Sequence, residues 1–106
     1  MTDQLVQLGL IHKSDVERQN PSVPLYKKYF MHGTSHHLGL DVHDFASRYR
    51  PFEPGNLLTC EPGIYIREEG LGIRLENDIL ITKEGNIDLM ADIPIEAEDI
   101  EEIMNS

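Results

Sequence analysis

The sequence predicts an α+β protein, an antiparallel sheet with flanking helices, on three observations. The run Gly72–Thr82 alternates apolar and polar residues, as a strand with one covered face does. Lys83-Glu84-Gly85-Asn86 follows with turn chemistry and leads into Ile87–Met90, so these two strands are expected to pair as a hairpin. Near the N-terminus Leu5, Leu8 and Ile11 fall at helical spacing, and an acidic segment with Ile95, Ile100, Ile103 and Met104 closes the chain. A length of 106 residues fits one domain, spanning 1–106.

Taken in order, Thr2 is expected to cap a first helix that Gly9 weakens. Ser14 and Glu17 have the spacing of a capping box, so a second helical turn is expected from Ser14. Pro21 and Pro24 make 19–25 a loop. Residues 29–44, apolar, histidine-rich and punctuated by Gly33 and Gly39, read as strand and loop. Glu53-Pro54-Gly55-Asn56 is a turn into a strand from Leu57 to about Glu61. Pro62-Gly63 breaks it, and Ile64-Tyr65-Ile66 resumes extended chain. After Pro94 a terminal helix is expected, its acidic first turn suited to the positive end of the helix dipole.

Composition narrows the partners. A formal net charge of −10 opposes binding to nucleic acid or to an anionic membrane surface. The single cysteine, Cys60, forms no internal disulfide framework and suits a reducing compartment. No stretch has the apolar length of a membrane span, and Met1-Thr2-Asp3-Gln4 lacks the basic and apolar regions of a signal peptide. A cytoplasmic protein is the expectation.

Chemistry concentrates in two places. Four of the five histidines, His32, His36, His37 and His43, lie within twelve residues. Imidazole ligates transition metals and titrates near neutrality, although histidines also cluster in turns with no ligand. His32 and His36 have the spacing of a helical zinc pair, but Gly33, Thr34 and Ser35 between them form helices poorly and the expected glutamate is missing. Along Gly72–Thr82, alternation places Arg74, Glu76 and Asp78 on one face, opposite Ile73, Leu75, Ile79 and Ile81. Taken alone, that polar face reads first as a solvated surface with an ion pair. Glu61 ends another strand just before a Pro-Gly break, where backbone pairing stops. One histidine and two glutamates from separate strands make a mixed nitrogen–oxygen set suited to Mn²⁺, Co²⁺ or Zn²⁺.

Phe30-Met31-His32-Gly33-Thr34-Ser35-His36-His37-Leu38-Gly39-Leu40-Asp41-Val42-His43-Asp44 closely resembles the signature of the aminopeptidase P (Xaa-Pro aminopeptidase) family. So do Cys60-Glu61-Pro62-Gly63-Ile64-Tyr65 and Gly72-Ile73-Arg74-Leu75-Glu76-Asn77-Asp78. Their order resembles the C-terminal part of the pita-bread metallopeptidase fold, which makes the chain a partial pita-bread fold. The resemblance implies a two-metal site, usually manganese in the bacterial enzymes, with zinc or cobalt as alternatives. His36 matches the histidine ligand of one metal, Glu61 a carboxylate ligand of the same metal, and Glu76 the carboxylate bridging both. His32 and His43 match catalytic histidines that line the substrate pocket and orient the scissile bond. Arg74 matches an arginine that holds a ligand aspartate, and His37 falls at a variable place on the pocket wall. The implied activity is removal of an N-terminal residue preceding proline, by attack of metal-activated water, with peptides carrying proline second as substrates.

The resemblance also implies two ligand aspartates and another pocket histidine from strands upstream. Asp3 and Asp15 sit in helical or loop context without the flanking motif. The expectation is therefore a C-terminal fragment of such an enzyme, inactive in isolation because three ligands of five do not hold a dinuclear centre. The alternative is a non-enzymatic binding module derived from the same fold, although such a module has no need of the intact His32, His36, His43, Glu61 and Glu76. A cupin-like metal domain is disfavoured, because its His-x-His pair is absent and the adjacent His36 and His37 point to opposite sides of an extended chain. A sheet without its neighbouring half is expected to leave an edge and an apolar face uncovered. Association with the missing N-terminal part, or a homodimer, would cover them.

Overall fold

The computed structural model of the chain describes residues 1–106. Three α-helices, two 3-10 turns and five strands alternate along it, and the strands form two antiparallel sheets. The chain divides into two compact units, Met1–Gly33 with Gly63–Arg74, and Thr34–Pro62 with Leu75–Ser106. No helix is long and apolar enough to cross a membrane.

The first unit is built on an apolar core. Helix α1 spans Thr2–Gln7, with Met1 in the capping position, so Thr2 begins the helix where a side-chain cap was expected. Gly9 ends it at φ +72°, where the N–H of Gly9 donates to the Val6 carbonyl and that of Leu10 to the Leu5 carbonyl, both at 3.0 Å. This paired closure needs a residue at ease in the left-handed region, so Gly9 terminates the helix rather than weakening its interior. Helix α2 spans Lys13–Arg18 with His12 at its cap position. Ser14 lies within that helix and makes no capping bond, so the expected capping box does not form. A 3-10 turn over Leu25–Lys28 follows Pro24, in chain expected to be loop up to residue 25 and strand or loop from 29. Leu5, fully buried, Ile11 and Tyr29 form the core, with Val6, Leu10, Leu25, Tyr26, Ile64 and Ile66 packed against it. Burying a leucine completely stabilises a fold by about 1.5–3 kcal/mol.

The same unit holds a two-stranded sheet, β2 (Gly63–Ile66) against β3 (Leu71–Arg74), joined through a 3-10 turn at Arg67–Glu69. The Tyr65 ring lies so close over β3 that a Cβ on Gly72 would sit 2.9 Å from it, which is why Gly72 carries no side chain. Tyr65 N–H donates to the Tyr29 carbonyl at 2.8 Å and ties this sheet to the helical core.

The second unit holds a three-stranded sheet in the order β1 (Leu57–Cys60), β4 (Asn77–Thr82), β5 (Gly85–Asp88). The turn expected at 53–56 precedes β1, with Asn56 N–H donating to the Glu53 carbonyl at 3.0 Å. The expected hairpin joins β4 to β5 through Lys83 and Glu84, with Thr82 opposite Gly85. Residues 34–38 run along the free side of β1 with Leu38 N–H on the Leu57 carbonyl, Thr59 N–H on the His36 carbonyl and Glu61 N–H on the Thr34 carbonyl. Regular pairing there is limited to the bridge His37–Leu58, so 29–44 is loop apart from this seam. Helix α3, Ala97–Met104, closes the chain with Glu98 and Asp99 in its first turn, as expected.

One expectation fails instructively. Gly72–Thr82 is two strands, because β3 pairs β2 only up to Gly63–Arg74 while β4 pairs β1 only from Cys60–Asn77. Pro62 has no N–H to extend either ladder, and in the gap its carbonyl accepts from Leu75 N–H at 3.1 Å. Arg74, Glu76 and Asp78 therefore do not share one strand face. Glu61 and Glu76 both occupy the interruption.

Candidate metal centre

The interruption is what aims the carboxylates. Glu61 follows the last residue of β1 and Glu76 precedes the first residue of β4, so both side chains leave the sheet where the ladder stops. His36 arrives from the segment sewn along β1. One ligand atom from each of His36, Glu61 and Glu76 lies within 4.8 Å of the others. His36 Nε2 is 2.9 Å from Glu61 Oε1. Its Nδ1 lies 3.0 Å from the His37 carbonyl, which can only accept, so Nδ1 carries a hydrogen and Nε2 faces the carboxylates. His43 stands edge-on to His36, with ring centroids 4.4 Å apart.

Glu61 is 8% exposed, low for a carboxylate. Thr59, two residues earlier on β1 and 2% exposed, donates its hydroxyl hydrogen to Glu61 Oε1 at 2.6 Å. The same Thr59 oxygen accepts the backbone N–H of His36 at 3.0 Å. Sequence reasoning did not single out Thr59. The available signal was a threonine two positions before a strand-end glutamate, where alternation points both side chains the same way.

The other expected site residues fall elsewhere. His37 packs edge-on against Phe52, ring centroids 5.9 Å apart, and lines an open cavity of about 270 Å³ with Asp44, Phe45 and Arg50. None of His36, Glu61 and Glu76 lines that cavity. His32 and Arg74 belong to the first unit. His32 Nδ1 lies 2.7 Å from the Gly33 carbonyl and so carries a hydrogen, and Nε2 makes a hydrogen bond with the Tyr65 hydroxyl at 2.7 Å. Arg74 ends β3 opposite Gly63.

One imidazole and two carboxylates fit a divalent cation of the Mn²⁺, Co²⁺ or Zn²⁺ type. The short contact between His36 Nε2 and Glu61 Oε1 needs a proton between them, and a cation would take that proton's place.

Known proteins resemble this chain along most of its length. The model of metallopeptidase family M24 matches residues 5–83. The Xaa-Pro aminopeptidase of Escherichia coli is 44% identical, over 98% of this chain and 26% of that protein. That of Haemophilus influenzae is 42% identical, over 98% and 26% respectively. The structure of zinc-substituted E. coli aminopeptidase P in complex with product has a TM-score of 0.82 at 41% identity, covering 99% of this chain and 26% of that one. The chain thus spans about a quarter of the length of the curated relatives it matches.

Proposed function

The chain belongs to metallopeptidase family M24, and from that we propose that it forms part of the catalytic site of an enzyme removing the N-terminal residue that precedes a proline. The observation that carries this reading is the convergence of His36, Glu61 and Glu76 within 4.8 Å. His36 would bind through Nε2, Glu61 through the carboxylate that Thr59 steadies, and Glu76 as the carboxylate shared by two ions, with manganese as the expected metal. A divalent cation in such a site supplies Lewis-acid activation of water and of the scissile carbonyl.

The remaining work falls to the chain's own side chains. His43, beside His36, can hold or release a proton next to the ligands. By the resemblance His32 would orient the peptide, its Nδ1 held at the Gly33 carbonyl and its Nε2 at the Tyr65 hydroxyl. Arg74 is assigned to pair with a ligand aspartate, and the resemblance implies two such aspartates that no motif in these 106 residues supplies. The isolated chain is therefore expected to turn over no substrate. The solved structure of E. coli aminopeptidase P with the inhibitor Pro-Leu supports a proline-containing peptide as ligand. Association with a second copy, or with the part that supplies the aspartates, would cover the apolar side chains that the second unit leaves exposed.

The test is a graft. Residues 1–106 would replace the matching C-terminal quarter of the E. coli enzyme, and cleavage of an X-Pro dipeptide would be measured with Mn²⁺. The chimera is expected to be active and its His36→Ala form to lose at least about a hundredfold. A folded but inactive chimera would contradict the reading, as would full activity without His36. Turnover by the isolated chain, abolished by Glu76→Gln, would contradict its expected inactivity.

A further inference from the structure

We infer that Thr59 is a positioning residue of the metal site, acting through its hydroxyl to set the Glu61 carboxylate and the His36 backbone in register. The inference rests on the metal reading above and adds a residue to it.

The geometry is specific. One oxygen, Thr59 Oγ1, donates to Glu61 Oε1 at 2.6 Å and accepts from His36 N–H at 3.0 Å. Those two residues are 25 positions apart, and both are candidate ligands. A hydroxyl has one hydrogen and two lone pairs, so it can hold a carboxylate and an amide at once. A methyl in its place would do neither. Oε1, the oxygen that Thr59 holds, is also the one facing His36 Nε2 at 2.9 Å. Thr59 therefore constrains both partners of that contact, one through the side chain and one through the backbone.

Burial raises the effect. Thr59 is 2% exposed, so water cannot readily replace its hydroxyl at either partner. Removing the hydroxyl would take one bond from the His36 amide and one from the Glu61 carboxylate. The hydroxyl donates to the carboxylate at 2.6 Å, much closer than the His36 carbonyl at 3.5 Å, so it orients the ligand without neutralising it. Partners that orient metal ligands in this way typically change affinity by about 10–100-fold when removed.

Three substitutions separate this role from packing. Thr59→Ser keeps the hydroxyl and loses the methyl, Thr59→Val does the reverse, and Thr59→Ala loses both. Zn²⁺ would be titrated into each variant of the 106-residue chain by calorimetry, with circular dichroism as the check on folding. A positioning hydroxyl predicts wild-type affinity within about threefold for Ser, and a loss of about tenfold or more for Val and Ala. A packing role predicts the opposite grouping, Val with wild type and Ser with Ala, and would overturn the inference. Should Val fail to fold, Ser against Ala still isolates the hydroxyl, and equal affinities of those two would overturn it. If the folded wild type gives no binding heat, the metal reading fails and this inference with it. Equal affinities across the series would remove the inference alone.

Discussion

The two compact units of the chain are held together by different physics. The unit of Met1–Gly33 and Gly63–Arg74 surrounds Leu5, Ile11 and Tyr29 with further apolar side chains, so burial of apolar surface organises it. In the unit of Thr34–Pro62 and Leu75–Ser106, the buried residues are Leu58, Thr59 and Glu61. Two of those three are polar, and backbone ladders carry the structure around them. Leu40, Phe45 and Tyr49 of this unit are almost wholly exposed, as are Ile103 and Met104 in large part. The difference is that the second unit buries candidate metal-site residues, where the first buries apolar ones, and leaves large apolar side chains exposed.

The largest effect should separate the two units directly. Leu5→Ala removes a fully buried side chain and is expected to cost about 2–5 kcal/mol, a large share of the stability of a small domain. Leu40→Ala, at a residue with no burial to lose, should change stability by less than about 0.5 kcal/mol. Denaturant unfolding checks both. Equal effects would mean that the contrast between the units is false.

Association should give an intermediate effect. Uncovered apolar side chains favour a homodimer at tens of micromolar, while the charge of −10 opposes it. Light scattering should therefore show a dimer at physiological salt that weakens at low salt, where screening is least. Phe45→Ser should shift it toward monomer. A dimer indifferent to both salt and Phe45 would place the contact elsewhere.

The smallest effect belongs to an exposed ion pair of the first unit. Lys28 Nζ lies 2.7 Å from Glu68 Oε1. Hydrogen bonding to Glu68, then to Tyr29, raises the Lys28 pKa above its ordinary 10.5, and hydrogen bonding to Lys28 lowers that of Glu68 below 4.5. A raised lysine stabilises the fold below its unfolded value and stops doing so as pH rises through the folded value. A lowered carboxylate stabilises above its unfolded value and stops as pH falls through the folded value. The pair's contribution thus lies between about 4.5 and 10.5 and fades outside that window. Solvent screens it, so Glu68→Gln should barely move the melting temperature at neutral pH and not at all in high salt. A large shift would show that exposed charge, and not the apolar core, holds this unit.

Much of this arrangement was legible in the residues. Turn chemistry at Lys83–Asn86, the acidic start of α3 and the Pro62 break are local signals, and each produced the element it predicted. The starts of α1 and α2 differ from expectation, because serine and threonine side chains signal a cap only if the backbone leaves the helix there, and Thr2 and Ser14 lie inside their helices. Alternation over Gly72–Thr82 could not reveal two strands, since the cause lies in the partner: Pro62, thirteen residues before Leu75, interrupts the ladder from the other side. The candidate ligands were legible through their motifs. Thr59 was not, because its importance is a pair of hydrogen bonds that exist only once β1 lies beside residues 34–38.

The central claim is that His36, Glu61 and Glu76 form a metal-binding set in the second unit, and one titration addresses it. Zn²⁺ or Mn²⁺ added to the purified chain should show by calorimetry a single weak site, with water filling the open positions. His36→Ala should abolish it and His37→Ala should leave it intact, because His37 turns toward Phe52. Binding that survives His36→Ala but disappears with His37→Ala would contradict the account.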